Sequence, residues 1–224
     1  FRDRLVGQHG SERVRVLVRV HGTGGSGEEG FDEFAAQVEQ AFDHDVLLVA
    51  PTFDVPYHFL LPAADEALLQ HLRHISKRLA LHERLLITGF SGGGQFAHRF
   101  ALQHPEHVHA CAPLAAGSWT SPGGEFFGMM DDEGWLDRPG WNKQTIHDVA
   151  HCPAAGHWQH IHWLVGVGNL DHPSRVESAR RFHQSLVDAG GHGVFRTWRA
   201  AHELLPSIEA EVLAFLCRAS HANV

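Results

Sequence analysis

The sequence predicts an α/β fold: a mostly parallel sheet with helices on both faces, three layers in all. Three observations carry that prediction. Short apolar, β-branched runs recur along the chain, the plainest being Val14-Arg15-Val16-Leu17-Val18-Arg19-Val20, with valine at alternate positions. Segments with apolar residues at helical spacing alternate with those runs. Glycine-rich and polar loops follow the strands, on the rim where sites in such sheets lie.

Composition bounds the rest. The 224 residues suit one domain, residues 1–224, with a substantial core. With 43% hydrophobic and 20% charged residues, the chain reads as globular rather than disordered. The net charge of −8 and the lack of any Lys/Arg block argue against a nucleic-acid partner. No apolar run reaches membrane-spanning length, so no membrane span is expected. The sequence says nothing of oligomeric state. No signal peptide is visible, which favours the cytoplasm; the first residue is Phe1, not methionine, so secretion stays open. The 21 histidines make net charge swing steeply in mild acid, and compositional drift on a solvated surface is the plain reading of them. Of the three cysteines, Cys111 and Cys217 sit in apolar stretches and read as core residues; one disulfide is open, and Cys152 completes an odd number.

In chain order, residues 1–10 read as an edge strand and turn, and residues 14–20 as a strand. The glycine loop His21-Gly22-Thr23-Gly24-Gly25-Ser26-Gly27 follows. Phe31, Phe34, Ala35, Val38 and Phe42 share one helical face. Residues 46–50 form a buried strand stopped by Pro51, and 52–62 a loop carrying Phe53, Tyr57, His58 and Phe59. A helix is expected over 63–81, with Ala64, Leu68, Leu72, Ile75 and Leu79 as its stripe. Strand 85–88 and helix 95–104, closed by Pro105, come next, then strand 108–114. Residues 115–160 are rich in Gly, Trp and Asp and weakly periodic. They are expected to form a cap or insertion after the strand that ends near residue 114. Strand 161–167 leads to Asp171. Pro173 opens a helix whose buried face is Val176, Ala179, Phe182, Leu186 and Val187. Strand 194–198, loop 199–203 and helix 206–218 finish the chain.

The chain is organised around Gly89-Phe90-Ser91-Gly92-Gly93, a G-x-S-x-G turn between a strand and a helix. So sharp a turn needs small side chains at 89 and 93. The helix that follows aims free N–H groups and its positive end at the serine. A serine hydroxyl is a weak nucleophile until a base takes its proton, and the base needs a third group to hold its tautomer. Asp171 follows one strand end and His202 the next, in the order Ser, Asp, His. Asp171 has a plainer alternative as the cap of the Pro173 helix; Asp148, Asp188 and the Asp131-Asp132 pair are rival acids, with Asp188 disfavoured late in a helix.

On those stretches the chain resembles α/β-hydrolase-fold serine esterases of the small carboxylesterase, dienelactone-hydrolase and polyhydroxyalkanoate-depolymerase-like kind. The resemblance spans residues 14–216 and implies a three-layer α/β-hydrolase fold. It implies Ser91 as nucleophile, His202 as base and then acid, and Asp171 as orienting carboxylate. The N–H groups of Thr23 and Gly92 would hold the oxyanion, with Gly24 the alternative to Thr23. The oxyanion loop departs from the family's His-Gly-Gly-Gly by its His21-Gly22-Thr23-Gly24-Gly25, and the chain is short before Val14. The implied activity is ester hydrolysis through an acyl-enzyme, on a small-molecule or polymeric ester, with no cofactor and no metal. Acyl transfer and perhydrolysis use the same triad, and a silent ligand-binding scaffold is a further alternative.

Two rival motifs and one pocket expectation complete the reading. Gly22 to Gly27 also matches G-x-G-x-x-G, the dinucleotide fingerprint, yet the next strand ends Val49-Ala50-Pro51 without the acid that would hold a ribose. His147, His151, His157, His160 and His162 could share a metal, but no glutamate follows the first His, and Pro153 and Gly156 argue against a helix there. Trp119 is the expected pocket wall, with Phe53 and Tyr57 second; the other insertion aromatics, Phe126, Phe127, Trp135 and Trp141, are expected to pack the insertion onto the domain.

Overall fold

The computed structural model describes residues 1–7, 10, 12–54, 56–128 and 143–222. Among them, seven strands form one sheet in the order β1-β3-β2-β4-β5-β8-β9. These are β1 (Arg2–Val6), β2 (Arg15–Val20), β3 (Val46–Ala50), β4 (Leu85–Phe90), β5 (Val108–Leu114), β8 (His162–Gly168) and β9 (His192–Trp198). All neighbours are parallel except β1, which runs antiparallel along β3. Among the described residues before β2, β1 is the one strand.

Strand alternation builds the two faces. Val16, Val18 and Val20 enter one core and Leu17 the other; Leu47 and Val49 oppose Val46, Leu48 and Ala50 in the same way. Helices α1 (Phe31–Ala41) and α6 (Pro206–His221) cover one face through Phe31, Phe34, Val38, Val212 and Leu216. Helices α2 (Ala64–Ile75), α3 (Gly92–Gln103) and α5 (Pro173–Asp188) cover the other through Leu68, Phe96, Phe100 and Phe182. Register aligns Val20 with Gly89, Gly89 with Pro113, Leu114 with Gly166, and Gly168 with Trp198. The loops after these strands consequently open on one rim.

Several elements differ from the sequence reading. Helix α2 ends at Ile75, not near Leu81; the Ser76 hydroxyl donates to the Arg73 carbonyl, and the chain turns there while Leu79 and Leu81 still pack on the core. Val187, placed on the buried face of α5, is exposed. Strand β9 begins at His192, directly after Gly191. The three cysteines are all free, and Cys217 is half-buried rather than in the core.

The insertion holds more order than its sequence suggested. Strands β6 (Ser118–Thr120) and β7 (Phe126–Gly128) pair as a hairpin, and α4 (Lys143–Ala150) follows. The helix exists because it ends three residues before Pro153, which therefore does not interrupt it. Arg99, fully buried on α3, ties the hairpin down: its guanidinium donates to Thr120 Oγ1, Ser118 Oγ and the His58 carbonyl, and lies over the Phe59 ring. Burial pushes this guanidinium down to about 9. Trp135, Trp141 and the Asp131-Asp132 pair lie outside the described residues. Among the described residues no helix is long and apolar enough to cross a membrane.

Candidate active site

Ser91 sits at the junction of β4 and α3 with φ 56° and ψ −114°, a conformation that a side chain rarely adopts. Two close backbone approaches impose it. A Cβ on Gly89 would stand 2.4 Å from the Gly93 backbone, and one on Gly93 would stand 2.1 Å from the Val20 carbonyl oxygen. The Ser91 amide donates to the Leu114 carbonyl at 2.9 Å, and Gln95 N–H closes the first turn of α3 onto the Ser91 carbonyl at 3.1 Å. The amides of Gly92 and Gly93 thus begin a helix and have no partner four residues back.

His202, in the loop after β9, and Asp171, in the loop after β8, reach this serine. His202 Nε2 is 3.0 Å from Ser91 Oγ, and its Nδ1 is 2.8 Å from Asp171 Oδ2. The ring also lies against Phe90, centroids 4.7 Å apart. Asp171 is buried; Oδ1 accepts from the His172 amide at 2.7 Å and from Arg175 Nη1 at 2.8 Å. Burial alone would raise this carboxyl, but the His202 and His172 hydrogen bonds and the Arg175 charge outweigh it and hold it below its usual range. With the Nδ1 proton on the ring and donated to an ionised carboxylate, Nε2 is left with a lone pair facing the Ser91 hydroxyl, able to take its proton.

The rival acids stand elsewhere. Asp148 is exposed on α4 and accepts from Gln144; Asp188 accepts from Gln184 at the end of α5. The N-cap of α5 is His172, not Asp171.

The glycine loop is tethered beside the serine. His21 Nε2 accepts from the Phe53 amide at 3.0 Å, so its Nδ1–H donates to the Gly22 carbonyl at 2.7 Å. The Tyr57 hydroxyl donates to the His21 carbonyl, and Thr23 Oγ1 is 2.9 Å from His58 Nε2. These groups meet at Gly92, where a Cβ would stand 2.6 Å from Thr23 Oγ1, 2.7 Å from Tyr57 Oη and 2.9 Å from His58 Cδ2. Helix α1 starts at Phe31, beyond the loop, so Gly22 to Gly27 do not open a helix as a dinucleotide fingerprint does.

The pocket expectation needs correction. A cavity of about 470 Å³ runs along the glycine loop, lined by Arg19, Thr23, Phe34, Phe90, Leu204 and Glu209 among others. Trp119 is not on it: the indole is fully buried, stacked on Phe182 and tilted against His98. Tyr57 is fully buried as a support behind Gly92, and half-buried Phe53 packs on Phe96. Of the histidines in the rival metal motif, His147 and His151 are exposed, with ring centroids 4.3 Å apart, while His160 Nε2 is tied to the carbonyls of Pro105 and Val108.

Sequence reasoning missed Arg175 and His58, and it placed His21 only as the first residue of the glycine loop. Arg175 looks like any charged residue on an exposed helix turn. His58 was one of many histidines, and only its contact with the glycine loop singles it out.

No protein-family model and no curated protein matches the chain. Solved structures do. It is similar to Est1E from Butyrivibrio proteoclasticus, with TM-score 0.65 and 15% identity over 98% of this chain and 94% of that one. It is similar to a hyperthermophilic esterase from the archaeon Pyrobaculum calidifontis, with TM-score 0.64 and 15% identity over 98% and 82% of the two chains. It is also similar to a Bacillus cereus carboxylesterase, with TM-score 0.61 and 13% identity over 97% and 93%. The fold of this chain is therefore the α/β-hydrolase fold.

Proposed function

We propose that this protein is a serine hydrolase that cleaves carboxylic esters through an acyl-enzyme. The observation that carries the proposal is the hydrogen-bonded series Asp171–His202–Ser91, at 2.8 and 3.0 Å, on the rim where the strands end. Ser91 Oγ attacks the ester carbonyl carbon while His202 Nε2 takes the hydroxyl proton. The carbonyl oxygen becomes an oxyanion, held by the N–H groups of Thr23 and Gly92. Collapse expels the alcohol, which leaves with the proton from His202. Water, deprotonated in turn by His202, attacks the acyl-serine and releases the acid. Asp171 stays ionised throughout and stabilises the imidazolium.

The similar structures named as esterases support the reaction class. The substrate class is an organic ester, small or polymeric; the cavity along the glycine loop is lined by Thr23 and Phe90 but not by Ser91 or His202, so it offers room beside the reacting groups. We read residues 1–224 as one domain, with 115–160 as an insertion on it. The test is turnover of p-nitrophenyl esters of rising acyl length, with and without Ser91→Ala. Hydrolysis by the wild type and its loss in the variant are expected; equal turnover in both would refute the assignment.

A further inference from the structure

At the opposite ends of the strands, three metal-ligating atoms converge. Asp43 and His44 lie in the turn between α1 and β3, and His221 is the last residue of α6. Asp43 Oδ1 is 3.0 Å from His44 Nδ1 and 2.9 Å from His221 Nε2. The two rings stand nearly perpendicular, centroids 5.1 Å apart, and the three ligand atoms all lie within 4.8 Å of one another. One turn earlier on α6, Cys217 puts Sγ 4.0 Å from His221 Nε2.

The Ser220 hydroxyl has one proton and gives it to the Cys217 carbonyl at 2.6 Å. In the tautomer with its proton on Nε2, His44 donates to the Ser220 oxygen at 3.3 Å. A neutral imidazole with its proton on Nε2 has a bare lone pair on Nδ1. That lone pair faces the Asp43 carboxylate oxygen. The two repel unless a positive centre lies between them. An extra proton on His44 would supply one for that contact alone; a metal ion would supply one for His44, His221 and Asp43 together. A ring N–H given to a protein oxygen is also what a metal-bound histidine ordinarily makes with its second nitrogen.

We propose that Asp43, His44 and His221 bind a zinc ion, with Cys217 as the fourth ligand. An oxygen, two imidazole nitrogens and a thiolate suit tetrahedral zinc. Ligand atoms around such an ion stand about 3.3–3.6 Å apart. The Asp43 contacts with His44 and His221 are shorter than that spacing, and Cys217 lies outside the compact three-atom set, so the three side chains open around the ion and the thiol moves in by about an ångström or more. The thiol of Cys217 releases its proton to solvent on binding. A cavity of about 400 Å³, lined by Arg15, His44, His82, Ser220 and His221 among others, gives the ion a way in. The ion would staple the turn before β3 to the last turn of α6, away from Ser91 at the far end of β4.

The test is zinc titration against a chromogenic chelator, with cobalt(II) as a spectroscopic probe. One equivalent is expected in the wild type, weakened at least about tenfold by Asp43→Asn and by His221→Ala. The double variant His147→Ala/His151→Ala should keep it, and zinc should raise the Tm of the wild type but not of His221→Ala. Cobalt should give tetrahedral visible bands and a thiolate charge-transfer band that Cys217→Ser removes. An equivalent that survives both Asp43→Asn and His221→Ala, no equivalent at all, or only weak octahedral cobalt bands in the wild type would overturn the proposal. Tetrahedral bands with no thiolate band would remove Cys217 from the site.

Discussion

Arg175 Nη1 lies 2.8 Å from His202 Nδ1, the ring nitrogen that also faces Asp171 Oδ2 at 2.8 Å. A neutral imidazole cannot satisfy both neighbours. If Nδ1 carries the proton, it donates to Asp171 and meets an Arg175 N–H head on. If Nδ1 accepts from Arg175, the proton sits on Nε2 and the ring cannot take one from Ser91. Arg175 thus steadies the acid through Oδ1 while opposing the tautomer that the proposed reaction needs.

Arg175→Met should therefore free Nδ1 of the competing donor and raise kcat by about a fewfold. Arg175→Lys, which keeps a charged donor there, should stay near wild type. Equal kcat for all three proteins would show that Arg175 only holds the helix turn.

Asp171→Asn should lower kcat by about four orders of magnitude, since an amide in place of the carboxylate favours the wrong tautomer. Asp148→Asn should leave kcat within about twofold, as expected of an exposed residue away from the reacting atoms. Comparable losses in the two variants would transfer the role of orienting acid away from Asp171.

Neighbouring glycines should fail in different ways. Gly92→Ala pushes a methyl against Thr23 Oγ1, Tyr57 Oη and His58, side-chain atoms that can yield. The variant should fold and lose about a hundredfold or more in kcat through a displaced oxyanion site. Gly93→Ala drives its methyl into the Val20 carbonyl, which is sheet backbone and cannot yield. Thermal melts should show a large drop for Gly93→Ala and a small one for Gly92→Ala; the reverse order would contradict the elbow geometry.

Acid should destabilise the fold through buried histidines. Burial, together with the nearby Arg15, pushes His109 from 6.5 down to about 4, against a hydrogen bond to the Ala219 carbonyl that favours its charged form. Between those values the unfolded chain binds a proton that the folded chain refuses. Stability from this group is whole above 6.5, falls as pH drops from there, and levels off below about 4. His98, fully buried and also depressed, adds to the same loss. Tm measured across this range should fall less steeply in His109→Gln; parallel curves would exclude His109.

How far the sequence carried follows from what its patterns encode. Alternating valines and strand-end loops specify which residues share a rim, so Ser91, Asp171 and His202 could be named together from chain order. Local pattern does not specify what lies beneath a loop. Trp119 follows β5 as a pocket residue would, yet its indole turns inward onto Phe182. The stripe through Leu79 reflects packing on the core, which continues after α2 has ended. The contact of Arg175 with His202 and the pairing of Asp43 with His221 depend on distant segments meeting, and no periodicity reports that.

The central claim is that Ser91 is a nucleophile activated by His202, and peptide mass spectrometry after reaction with a fluorophosphonate tests it most directly. The account predicts one phosphonyl adduct per chain, on the peptide carrying Ser91, formed far more slowly in His202→Ala. An adduct on another residue, or none on Ser91 in the folded wild-type protein, would contradict it.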